Sequence, residues 1–218
     1  MKNEAQLDDK QQSIVVIAAF TANGDLEKLK PALGEGLDAG LTINEIKEIL
    51  VQLYAYAGFP RSLNGIATFM AVLDERKARG ITDNEGREAS HLPSDLNRDA
   101  YGARVRADLA GQKEIPQPAA WQKFSPLADD FLKQHLFADI FARDVLTHQQ
   151  RELATIAALA NMKGTAGQLV FHLNAAMNTG LTEAEMRNFI TVLHDKVDET
   201  SAKNAEAVLV EVLKKRTK

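Results

Sequence analysis

The chain has 218 residues, 45% of them hydrophobic and 26% charged, with a formal net charge of −4 and no cysteine. That composition gives a globular chain long enough for one large core or two small ones. It excludes disulfides, thiolate metal sites, CxxC redox chemistry and a Cys nucleophile, and the lack of a dense Lys/Arg cluster speaks against a nucleic-acid partner. The longest apolar run, residues 14–20, is too short to span a bilayer, so no membrane partner is expected. Acidic Asp8 and Asp9 precede that run, which does not suit a signal peptide. The expected compartment is the cytoplasm, with the periplasm as the alternative where a leader has been removed.

In chain order, Asp8 and Gln11 have capping-box spacing and open a first helix. Gly40 sits where a second helix ends and a left-handed residue is needed. Thr42 with Glu45 repeats the capping spacing, and Ile43, Ile46, Leu50 and Leu53 give the third helix its apolar face. Gly58, Phe59 and Pro60 make a turn before a fourth helix over 61–78. Residues 80–98 read as loop, 99–110 as a short helix and 112–118 as loop again. Ser125 and Pro126 open a helix running to about 141, with Leu127, Phe131, Leu132, Leu136 and Ile140 on its apolar face and Trp121 before it as a packing anchor. From Thr147 the pattern starts afresh: capping by Gln150, a helix end at Gly180, Thr182 with Glu185, an apolar face of Met186, Phe189, Ile190 and Leu193, and a last helix over 200–216. No alternating strand pattern occurs.

The second pass repeats the first. Ile17–Ala18–Ala19 parallels Ile156–Ala157–Ala158, Ala39–Gly40–Leu41–Thr42 parallels Thr179–Gly180–Leu181–Thr182, and Asn64 parallels Asn204, with one residue inserted near Lys163. Matches in this order imply a duplication. The fold class is all-α, two tandem copies of one helical unit. The expected division is residues 1–82 for the first repeat, 83–145 for a linker with two helices and 146–218 for the second repeat.

Glu152 shares a helix face with Ile156 and Leu159, and Gln150 already serves the cap. A carboxylate on an apolar stripe suits proton transfer unless a partner fixes its charge. A salt bridge to Arg151 or to a neighbouring chain, or dipole compensation at the helix start, fits equally. His172 lies on the next helix with Leu169, Leu173 and Ala176. It is either a partner acid–base group or a satisfied core histidine. The corresponding positions of the first unit are Ser13 and Ala32, so the pair exists once per chain. The first unit has its own patch, Tyr54 to Arg61, in which a phenol and a guanidinium could bind an anion, or the tyrosines be plain core and Arg61 surface. One composite site between the units is the working hypothesis. Arg104, Arg106, His135 and Arg143 are further candidate carboxylate binders, or surface pairs. No histidine has metal-ligand spacing, so no metal site is expected, and no P-loop, GxGxxG or GxSxG pattern occurs.

Arg151–Glu152–Leu153–Ala154–Thr155–Ile156–Ala157–Ala158–Leu159, followed by His172 and Asn178–Thr179–Gly180–Leu181–Thr182, resembles the hallmark of the carboxymuconolactone decarboxylase family. Tyr56–Ala57–Gly58–Phe59–Pro60–Arg61 is similar to that family's motif at the end of the next helix, and Gly102–Ala103–Arg104–Val105–Arg106 and Leu136–Phe137–Ala138–Asp139–Ile140 resemble linker features of its decarboxylase branch. The resemblance implies an all-helical alkylhydroperoxidase-like fold, self-association into a trimer or hexamer of tandem chains, and no cofactor. It implies a cofactor-free carboxy-lyase acting on a small carboxylated lactone such as 4-carboxymuconolactone, in aromatic catabolism. Glu152 and His172 would then be catalytic, and Arg61, Tyr56, Arg143 and His135 would bind substrate. The family's peroxidase branch uses a CxxC between the Glu and the His, where this chain offers Gly164 and Gly167, so a thiol peroxidase is excluded. The alternatives are a non-catalytic ligand-binding or assembly protein on the same fold, and an isomerase or hydrolase of a related small acid.

Overall fold

The computed structural model describes residues 6–216, so the first five and last two residues of the expected repeats lie outside the described residues. The first unit is four helices: α1 (Asp9–Asn23), α2 (Leu26–Asp38), α3 (Ile43–Ala57) and α4 (Phe59–Ala78). The second repeats them as α8 (His148–Ala160), α9 (Ala166–Asn178), α10 (Glu183–Lys196) and α11 (Glu199–Arg216). Between them come α5 (Arg98–Leu109), a short α6 (Ala120–Phe124) and α7 (Pro126–Phe131), which runs straight into a π-helix over Leu132–Ile140. There is no strand among the described residues.

Local chemistry sets these boundaries. Capping boxes close at Asp8/Gln11, Thr42/Glu45, Thr147/Gln150 and Thr182/Glu185, each satisfying two otherwise orphaned backbone N–H groups. Gly40 and Gly180 follow α2 and α9 at φ +95° and +109°, a conformation that costs a residue with a Cβ. The inserted residue is absorbed in the connection over 161–165, which is longer than the two-residue connection after α1.

Two helices are apolar on nearly every side. Residues 14–22 of α1 and 151–160 of α8 are buried without interruption, and a helix buried all round belongs at the centre of a fold. These two pack on each other, with Ala18, Ala19, Ala154, Ala157 and Ala158 in the same core. The third helix of each unit crosses to the other unit, α3 onto α8 and α10 onto α1, giving the chain a pseudo-twofold arrangement. Each third helix also sends a polar side chain to the start of the other unit's first helix. Asn188 accepts from the Leu7 amide at 2.9 Å, and Glu48 reaches Arg151 at 2.9 Å.

The linker builds a smaller core of its own. Val105 and Leu109 of α5 meet Leu136, Phe137, Ile140 and Phe141, with Ala175 of α9 at the base. The sequence reads 125–141 as one ordinary helix. The wider π turn instead lets Leu132, then Leu136 with Phe137, then Ile140 with Phe141 face one side. A Cβ on Gly102 would lie 1.9 Å from the Lys133 carbonyl oxygen, so glycine is what admits the π-helix backbone against α5. Gly102→Ala is therefore expected to cost about 3 kcal/mol, lowering Tm by ~6–12 °C in a chain of this size, as read by thermal melting. Trp121 is not the expected packing anchor: it is 48% exposed, because α6 lies outside both cores.

Candidate functional site

Glu152 lies one turn into α8 and His172 midway along α9, and the α8–α9 hairpin brings them together. His172 Nδ1 is 2.7 Å from Glu152 Oε2. The carboxylate is fully buried and the histidine 6% exposed. With Nδ1 committed to Glu152, Nε2 is the nitrogen left to exchange a proton with a ligand. The salt bridge from Glu152 to Arg151 considered from the sequence does not form. Arg151 turns to the other side of α8 and bonds Glu48, Gln52 and the Arg143 carbonyl oxygen.

Tyr56 arrives from the first unit at the end of α3. Its ring meets His172 edge-on, centroids 5.5 Å apart, and Phe171 meets the same histidine at 5.0 Å. Burial holds the Tyr56 phenol well above its ordinary pKa, and the nearby Glu152 charge adds to that. At neutral pH Tyr56 is therefore a neutral hydrogen-bond donor. The linker core packs over this corner, touching Tyr54, Tyr56 and Phe171.

Beside the pair lies a buried polar network that sequence reasoning missed. Glu48 bonds Arg143 through both carboxylate oxygens, at 2.8 and 3.1 Å, and Arg151 at 2.9 Å. Gln52 accepts from Arg151 Nη1 and donates to the Arg151 carbonyl and the Thr155 hydroxyl, each at 2.9 Å. Burial would raise the Glu48 pKa, but hydrogen bonds and charge from Arg143 and Arg151 outweigh it and hold it below the usual carboxylate value. The signal was present: Glu48, Gln52 and Tyr56 follow one another at four-residue spacing along one face of α3, a polar stripe inside an otherwise apolar helix.

Three buried side-chain polar atoms lack a hydrogen-bond partner among the described residues: Tyr56 Oη, Arg151 Nε and Glu152 Oε1. Tyr56 Oη and Glu152 Oε1 belong to the corner of the Glu–His pair, while Arg151 Nε belongs to the network on the other side of α8, and the Tyr56 phenol senses the charges of both Glu152 and Arg151. The remaining expected binders are engaged elsewhere. Arg61 donates to the Ala22 carbonyl at the end of α1, Arg143 holds Glu48, and His135 pairs with Asp139 at 3.0 Å with its ring against Tyr54. Of the Tyr54–Arg61 patch, Tyr56 meets the Glu152–His172 pair, while Tyr54 stacks on Phe59 and meets the ring of His135, and Arg61 turns to the end of α1. Arg104 bonds Asp108, and Arg106 bonds the buried Asp129 at 2.6 Å. No group of three or more His, Cys, Asp or Glu among the described residues could hold a metal. A cleft of about 490 Å³ lies at the far end of the hairpin, between Asn161, Thr165, Asp198 and Asn204, away from the pair.

The model of the family described as the carboxymuconolactone decarboxylase family matches residues 1–69 and 126–211, once in each half of the duplication. The chain belongs to the carboxymuconolactone decarboxylase family. Over 98 residues it is 28% identical to 4-carboxymuconolactone decarboxylase of Acinetobacter baylyi, a stretch that is 44% of this chain and 72% of that protein. It is likewise 28% identical over 71 residues to an uncharacterized protein of Methanocaldococcus jannaschii, covering 33% of this chain and 66% of that one. No helix among the described residues is long and apolar enough to cross a membrane.

Proposed function

We propose that the chain is a cofactor-free carboxy-lyase acting on a small carboxylated lactone such as 4-carboxymuconolactone. The observation that carries this reading is the buried Glu152–His172 pair with two buried polar atoms beside it, Tyr56 Oη and Glu152 Oε1, that lack a hydrogen-bond partner among the described residues. Buried polar groups are normally satisfied, and a cluster of exceptions marks a place built to receive something. The group received would need hydrogen-bond donors and an acid–base relay.

Loss of carbon dioxide from such a lactone breaks the ring-carbon to carboxylate bond. Its electron pair delocalises into the ring carbonyl as a dienolate. The Tyr56 hydroxyl is the donor for that developing oxyanion, and the buried Arg151 charge adds a favourable field. His172, oriented by Glu152, protonates carbon through Nε2 and is reprotonated from solvent. Arg61, Arg143 and His135 would have to leave their present partners to hold a substrate carboxylate.

The test is the ultraviolet absorbance of 4-carboxymuconolactone mixed with the purified protein. Absence of turnover would overturn the lyase reading. A Tyr56→Phe variant is expected to lose about 10²-fold in kcat. Its stability should stay within about 1.5 kcal/mol of the parent, since the only polar interaction removed is that of the phenol with the Thr155 side chain. A variant as fast as the parent would remove the phenol from the mechanism.

A second reading, a non-catalytic binding protein, is favoured by the position of the 490 Å³ cleft away from the pair. Ligand binding that survives Glu152→Gln with His172→Ala, without turnover, would establish it. Proton exchange without loss of carbon dioxide would point instead to an isomerase or hydrolase.

A further inference from the structure

The duplication supplies an internal comparison for the cleft at the far end of the α8–α9 hairpin. In the first unit the matching place is filled by the chain itself. Arg61, at the start of α4, reaches back over the turn after α1 and donates to the Ala22 carbonyl. Its Nε lies 4.0 Å from where a Cβ on Gly24 would stand. In the second unit Ser201 is in register with Arg61, and Asn161 with Ala22. Both line the cleft of about 490 Å³, a volume in the range of small-molecule sites. The short serine leaves open what the arginine side chain closes.

A second exchange accompanies the first. Gly58, which precedes α4, corresponds to Asp198, which precedes α11. The second unit thus lacks a guanidinium and gains a carboxylate at the same helix start. Asp198 Oδ1 caps α11 by accepting from the Ser201 amide at 2.8 Å. Ser201 is 6% exposed, and its hydroxyl has two acceptors in reach, Asn161 Oδ1 at 3.0 Å and Asp198 Oδ2. One hydroxyl proton serves one of them, so an acceptor oxygen in the cleft wall is left for another donor. Burial would raise the Asp198 pKa, but hydrogen bonds from Ser201 and Thr200 outweigh it and hold the group below the usual carboxylate value. Helix α8 also ends here, and the carbonyl end of a helix favours a cation. Among the described residues that line the cleft, Lys163 alone is cationic, and it is exposed.

We propose that the cleft binds a small molecule carrying a guanidinium group, which takes in the second unit the place that Arg61 takes in the first. The planar guanidinium donates to the Asp198 carboxylate and the Asn161 side-chain oxygen. Leu159, Met162, Leu169 and Val208 line the same cleft and give the ligand's methylene chain an apolar wall, as arginine stems use in proteins. The cleft lies away from Glu152 and His172, so the inference stands whether or not that pair turns over a lactone.

The test is calorimetric titration of the purified chain with agmatine, a guanidinium on an aliphatic amine. Saturable binding is expected, about tenfold or more tighter than that of 1,4-diaminobutane, which has the chain without the guanidinium. Ser201→Arg installs the residue that the first unit carries and should abolish binding, with unchanged far-ultraviolet circular dichroism. Asp198→Asn keeps an acceptor for the α11 cap but removes the charge, and should raise Kd about tenfold. Glu152→Gln should bind as the parent does. No saturable binding of agmatine by the parent at millimolar concentration would overturn the proposal. So would equal affinity for the diamine, undiminished binding in either cleft variant, or loss of binding in Glu152→Gln, which would put the ligand at the pair. Binding of inorganic phosphate in place of agmatine would overturn it too, and would assign the cleft to an anion beside Lys163.

Discussion

His172→Ala is expected to lower kcat/KM on the lactone by ~10²–10⁴-fold, the contribution of a positioned acid–base group. It also leaves Glu152, fully buried, without the partner at 2.7 Å that satisfies Oε2. Loss of one member of a buried pair costs about 3–5 kcal/mol, so activity alone would not separate chemistry from folding. Glu152→Gln separates them. The amide keeps the shape and can still hydrogen-bond Nδ1, but it cannot hold an imidazolium by charge. That variant should melt within a few degrees of the parent and still lose most of the rate. A Glu152→Gln protein that turns over the lactone at the parental rate would sink the relay.

Glu48→Ala is expected to destabilise the chain by about 3–5 kcal/mol, measured by urea unfolding. Arg151 has no exposed surface, and Glu48 is its charge partner across the two units. Removing the glutamate strands a buried guanidinium with only Gln52 and the Arg143 carbonyl as acceptors. Glu48→Leu with Arg151→Met removes both charges and should recover most of the loss. The pH dependence has a definite sign. The Glu48 pKa is lowered on folding, so its stabilisation is fully present above the unfolded value of about 4.3 and is lost as pH falls through the folded value. Arg143→Ala removes one of the two guanidinium groups responsible and should move that acid loss to higher pH. A Glu48→Ala protein as stable as the parent at neutral pH would contradict the network's role.

What the sequence disclosed, it disclosed locally. Capping boxes, the glycines after α2 and α9 and the apolar face of α3 are short-range signals, and the duplication doubled each of them. Glu152 and His172 were legible as a pair because each sits on an inward face of one hairpin and the first unit lacks both. The partners of Arg151 were not legible, since Glu48 and Gln52 lie about a hundred residues away and only the crossing of α3 onto α8 joins them. The π-helix was equally hidden: its register answers to packing against Gly102 and not to the propensities of 132–140. Arg61 looked available because nothing near it in sequence reveals the carbonyl it reaches at the end of α1.

Fusing the two units in one chain has a consequence for how such a site can change over time. Identical subunits that meet about a twofold axis must each encode every residue of the shared site, and each mutation falls on both sides of the axis at once. Here the two sides are separate stretches of one gene. The Glu152–His172 pair lies in one half and the Tyr56 phenol in the other, while Ser13 and Ala32 occupy the positions of the first half that correspond to the pair. The halves are free to specialise, and a titration with a tight ligand should saturate at one equivalent per chain, not two.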